Sequence, residues 1–201
     1  MKRVFPISLL LMGLSIVSGA QTPPAAYDDA DAYAVYAAII VDDWPVKVAK
    51  ARKLVIETET KDNPFFYERN GHVCLKPAAG EETTLEPLIE AYEKANKQTL
   101  SLQRKFVLPL EYELVPRENI TALFKTKGIG GWKDFYDKYP NSGGSIHMSA
   151  VGFNADKKLA LVYMGHSCGG LCGGGSYHLM KKLADKWFEI PWNGISCNWA
   201  S

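Results

Sequence analysis

Apolar residues recur three and four apart at Tyr33, Tyr36, Ala37 and Ile40, the period of one helix face, and Asp28 or Asp29 stands where such a helix is capped. The pattern predicts a helix running to about Asp42 and stopped at Trp44-Pro45. Lys53 to Thr58 is rich in β-branched and apolar residues and predicts a strand, whereas Lys61 to Glu82 has no steady period and reads as mostly loop. Thr83 followed by Glu86 has the spacing of a capping box, and Leu85, Leu88, Ile89, Tyr92 and Ala95 then mark the buried face of a second helix. Phe106 to Val115 is extended, with Pro109 confining it to a sheet edge or two short pieces. Two short helices follow, over Glu118 to Phe124 and Trp132 to Tyr139.

The last third alternates differently. Ile146 to Phe153, Leu159 to His166, Ser176 to Lys182 and Trp187 to Ile190 are strand-like runs separated by short turns, the signature of an antiparallel meander of about four strands. Pairing Phe153 with Leu159 puts Val151 opposite Leu161 and Ser149 opposite Tyr163. One face then carries Val151, Phe153, Leu159, Leu161, Tyr163 and Leu179; the other carries Ile146, Met148, Ala150, Val162, Met164 and Met180. Both faces are apolar, so both need cover, and the expected architecture is α+β, N-terminal helices packed on a C-terminal sheet.

The first residues change the picture of where the chain works. Lys2 and Arg3, an apolar run from Ile7 to Val17, and the small residues Ser18, Gly19 and Ala20 form a secretory signal peptide over 1–20, followed by one domain over 21–201. The run is shorter than the ~20 residues a spanning helix needs, and the mature form is expected to carry no membrane span. Subtracting the two leader cations takes the formal charge from +1 to −1, so nothing electrostatic draws the mature chain to nucleic acid. The expected compartment is the periplasm or the exterior. The four cysteines Cys74, Cys168, Cys172 and Cys197 are therefore expected to form disulfides, for which three connectivities exist.

Candidate chemistry concentrates in residues 165–178, GHSCGGLCGGGSYH. Centring a hairpin on Gly169, Gly170 and Leu171 pairs positions that sum to 340 and sets Cys168 opposite Cys172, at a spacing of about 4.5 to 5.5 Å that a disulfide accepts. That leaves Cys74 to bridge Cys197. A zinc site from His166, Cys168, Cys172 and His178 suits the residue types, but the same register sets His178 about 13 Å from His166. A Cys168 nucleophile with His166 or His147 as base would need a free thiol, and a Gly173 to Gly175 anion cradle lacks the helix that phosphate loops use. His147, Tyr163, His166, Ser167 and Tyr177 are the candidate ligand-binding residues; no catalytic residue, metal ligand or cofactor is assigned. His72 reads as a solvated loop residue, the five tryptophans as core, and Asn119-Ile120-Thr121 as a glycosylation acceptor in a eukaryotic pathway alone.

The run from Ser149 to Trp187 resembles a pattern in bacterial exported proteins of unassigned function, through Gly152-Phe153-Asn154, Ala160 to Tyr163, Cys168 to Gly175 and Trp187. The order of helices then meander is also similar to the cone-shaped nuclear-transport-factor-2-like group, and element order of this kind implies a shape without a function. The expected role is binding of a small molecule or protein, or accessory function, rather than catalysis. The alternative is a small hydrolase or metal-dependent enzyme using the His166-Cys168-Cys172-His178 segment.

Overall fold

A computed structural model describes residues 22–43, 51–61, 75–125, 127–196 and 198–201. The leader, Trp44-Pro45, His72, Cys74 and Cys197 lie outside the described residues. The chain is α+β. Among the described residues the helices are α1 (Ala30–Asp43), α2 (Glu82–Ala95), α3 (Arg117–Phe124) and α4 (Gly131–Lys138). The strands are β1 (Ala25–Tyr27), β2 (Lys53–Glu57), β3 (Leu75–Lys76), β4 (Leu100–Leu102), β5 (Glu111–Val115) and β6 (Ser142–Met148), then β7 (Gly152–Phe153), β8 (Leu159–Gly169), β9 (Cys172–Leu183), β10 (Lys186–Ile190), β11 (Ile195–Ser196) and β12 (Trp199–Ala200).

The main sheet has eight strands, where the sequence pattern predicts about four. Its order is β10-β9-β8-β6-β2-β5, with β12 added beside β9 and β7 beside β8. The meander is real but joins a parallel segment: β2 runs parallel to both β5 and β6. Lys53 to Glu57 reads as a strand from composition alone, but its insertion between β5 and β6 rests on contacts between distant parts of the chain, which local periodicity does not encode. β5 stands at an edge of the sheet, and of the run Phe106 to Val115 that reads as extended only Glu111–Val115 is strand, beginning after Pro109.

The strand registers follow simple alternation between β6 and β8 and depart from it at β7. Between β6 and β8, Ile146 faces His166 and Met148 faces Met164, as expected. At β7 the pairing slips by one, so Gly152 faces Leu161 and Phe153 faces Ala160. A slip of one residue reverses every side chain. Val151 and Phe153 therefore pack with Ile146, Met148 and Val162 under α1, while Leu161, Tyr163 and Leu179 pack under α2. Gly152 allows the slip, because a Cβ there would lie 2.3 Å from Tyr92 Cα of α2.

Both faces are covered. On one, Asp29 Oδ1 caps α1 by accepting from the N–H groups of Asp31 and Ala32. The tyrosines beneath join α1 and β1 to the bend after β6: Tyr36 OH donates to Ser149 O at 2.6 Å, and Tyr27 OH accepts from Val151 N at 3.0 Å. On the other, α2 buries Leu85, Leu88, Ile89 and Tyr92, and α3 and α4 cover Val55 and Val115 with Ile120, Phe135 and Tyr139. The expected capping box at Thr83 does not form. The helix begins at Glu82, and Thr83 already lies in its first turn. Leu75 and Ser196, which flank Cys74 and Cys197 in the chain, are ladder partners in β3 and β11.

Candidate functional site

The β8–β9 hairpin keeps the expected register from Leu159 opposite Lys181 down to Ser167 opposite Gly173, then shifts so that Gly169 faces Cys172. Cys168 and Cys172 are nevertheless disulfide-bonded, with Cα atoms 5.0 Å apart. Leu171 crowns the turn, 90% exposed. Behind the tip, Gly144 has φ +99° and its missing side chain admits the carbonyl of Ser167, 2.1 Å from where a Cβ would stand.

The other glycines serve ring packing. A Cβ on Gly165 would meet His147 Nε2 at 2.5 Å, and one on Gly175 would meet the Tyr163 hydroxyl at 2.2 Å and Trp199 Nε1 at 2.7 Å. Rings thus lie directly on the strand backbones: His147 stacks beside Tyr163, Tyr163 beside Tyr177, and Trp199 Nε1 donates to Tyr163 OH at 2.8 Å. Gly173, Gly174 and Gly175 sit within β9, paired with β8, and Gly174 and Gly175 pair also with β12. They form a strand under rings, not an outward anion cradle.

The candidate ligand-binding residues divide between the two faces. His147, Tyr163 and Tyr177 share the α2 side. His166 lies on the α1 side, lining a cavity of about 210 Å³ with Ile39, Met164, Ser176 and His178. Ser167 is half-buried at the hairpin tip, opposite Ser145 of β6. Burial pushes the His147 imidazole down to about 3, reinforced by the nearby Arg117 and Lys61 charges, and pushes His166 down to about 4 against a hydrogen bond with the Gly174 backbone. Both rings are neutral at pH 7. The ligand atoms of His166, Cys168 and Cys172 lie within 4.8 Å of one another, whereas His178 faces Val162 as the register requires. With the two sulfurs bonded to each other, no thiolate is present there to ligate a metal or attack a substrate.

Two features were not foreseen. Ser176 Oγ lies 3.1 Å from His178 Nε2, and His178 Nδ1 lies 2.9 Å from Glu189 Oε1. The Ser176/His178 spacing in a predicted strand could have flagged the first contact; the second depends on the β9–β10 register. The other feature is a polar cleft of about 700 Å³ at the carboxyl ends of β2 and β5, lined by Glu59, Thr60, Lys61, Gln98, Thr99 and Arg117 among others. Arg117 donates to Glu57 at 2.7 Å, and Glu59 accepts from Arg117 N at 3.0 Å at the start of α3. Burial raises the Glu57 carboxyl despite that guanidinium, and lowers the Lys61 ammonium with help from Arg117. Comparison with family models, curated proteins and solved structures finds no match to this chain.

Proposed function

We propose that the chain is an exported, disulfide-clasped domain that binds a small polar molecule bearing an anionic group in the cleft at the carboxyl ends of β2 and β5. The cleft carries this reading. In sheets with parallel strands, ligands enter the crevice where those strands end, and here β2 and β5 end side by side. Charges around it are unevenly committed. Glu57 is tied to Arg117 and Glu59 to the first turn of α3, while Lys61 feels the Glu57 charge but makes no hydrogen bond or ion pair through its ammonium among the described residues. A cation held partly out of water next to another cation favours an anion. Thr60 is buried, and its hydroxyl accepts from Leu100 N, so it braces the floor of the cleft; Gln98 and Thr99 offer donors and acceptors along the wall.

Export rests on the leader pattern and on the Cys168–Cys172 bond, which belongs in an oxidising compartment. The test uses the exported product, whose intact mass should begin at Gln21. A panel of small carboxylates and phosphates is titrated against it and followed by thermal shift and calorimetry. At least one anion should bind in a 1:1 ratio, and Lys61→Met should weaken it at least tenfold with the circular dichroism unchanged. Binding equal in Lys61→Met, or no anion bound, overturns the reading.

A further inference from the structure

On the α1 side of the sheet, β9 and β10 carry a run of polar side chains that the binding reading leaves unused. Ser176 and His178 are two residues apart on β9 and project from one face, and Glu189 on β10 stands opposite Met180, the next residue on that face. A carboxylate only accepts, so the tautomer that satisfies Glu189 Oε1 carries its hydrogen on His178 Nδ1; in that tautomer Nε2 accepts, and the Ser176 hydroxyl is placed to donate to it. The order is hydroxyl, imidazole, carboxylate, which is the arrangement that activates a serine for attack.

Burial suits the three roles. His178 is 4% exposed, so its orientation is held, while the Glu189 side chain reaches solvent at 43% and Ser176 is half-buried. Ser176 and His178 open on the cavity of about 210 Å³ whose remaining walls include Ile39, Met164 and the bare backbones of Gly165, Gly174 and Gly175. Those walls are small, and apolar apart from the His166 imidazole.

We propose that Ser176 is an acyl-accepting nucleophile, with His178 as its base and Glu189 as the positioning residue, and that its substrate is an ester of a short acyl group. Ser176 Oγ attacks the ester carbonyl as its proton passes to His178 Nε2. The alkoxide departs with that proton, leaving an acyl-serine. Water, deprotonated by the same nitrogen, then releases the carboxylic acid and restores the hydroxyl. Gly174 and Gly175 are paired on both sides, so their backbone groups are committed to ladders, and the expected acceleration is that of nucleophile and base alone, roughly 10² to 10⁴.

This activity goes beyond the binding reading and sits in a different cavity. The full exported chain is treated with a serine-directed fluorophosphonate and, separately, with p-nitrophenyl acetate. One label per chain should appear, mapped to Ser176, and be absent from Ser176→Ala and from heat-unfolded protein. Ester turnover should fall at least 10²-fold in His178→Gln. Glu189→Gln should lower kcat with KM unchanged, a split that mere loss of packing does not give. If Ser176→Ala hydrolyses the ester as fast as the parent, or the folded chain takes no label, Ser176, His178 and Glu189 are a structural relay and the proposal fails. Because Ser176→Ala removes only a half-buried oxygen, its thermal midpoint serves as the folding control.

Discussion

Individual glycines in this chain differ by what stands over them. Gly175 lies beneath the Tyr163 hydroxyl and the Trp199 indole, and Gly152 beneath the α2 backbone at Tyr92. A methyl group added at either would meet another atom well inside van der Waals contact. Gly152→Ala meets main chain, which cannot rotate aside, and is expected to cost about 1–3 kcal/mol by overpacking. Gly175→Ala meets ring tips and should cost less. Gly130→Ala, whose Cβ would make an ordinary 3.6 Å contact with Lys127, is the matched control and should be near neutral. Urea denaturation of the three variants gives the ranking; equal costs at Gly152 and Gly130 would refute it. The glycine density of residues 165–178 is visible in the sequence, but its cause is not. The rings that occupy the space come from His147, Tyr163 and Trp199, and the last reaches Gly175 only through the β12 pairing.

Elements show where alternation suffices. From Leu159 to Ser167 the β8–β9 register is the one that the Cys168/Cys172 spacing dictates, because a hairpin couples its two strands through one short turn. The α2 face is likewise legible at Leu85, Leu88, Ile89 and Tyr92; on α1, Tyr33, Tyr36 and Ile40 are buried as their period requires, whereas Ala37 is half-buried and Ala32, Val35 and Ile39 widen the face. The Phe153 pairing is not legible: the slip at β7 is set by the close approach of α2, an element distant in sequence. The parallel placement of β2, and with it the cleft, escapes for the same reason. As to the clasp, the loop it closes is short, so little chain entropy is removed from the unfolded state. Replacing both Cys168 and Cys172 by serine should cost about 2 kcal/mol, read from chemical denaturation. A loss of cooperative folding in that variant would mean that the bond organises far more than its own turn.

For the whole molecule, the two depressed histidines tie stability to pH. Their folded values, about 3 for His147 and about 4 for His166, lie below the ordinary value of 6.5, so between pH 7 and pH 5 the unfolded chain takes up protons that the native chain refuses. Stability therefore falls on acidification through this window, and the contribution is lost in full only below the folded values. His147, the more deeply buried, accounts for about 2 kcal/mol of the fall by pH 5. Denaturation midpoints of the parent should drop between pH 7 and pH 5, and His147→Gln should show a shallower drop. Parallel profiles would place the proton linkage elsewhere.

β12 gives the sheet a guard. Trp199 and Ala200 pair with Gly175 and Gly174, and Ser201 N donates to Gly173 O, so a flat glycine segment that would otherwise offer bare peptide groups to any passing strand is already occupied. Removing residues 199–201 would uncover that ribbon and leave other copies of the chain as its nearest available partners, so self-adhesion should rise with concentration.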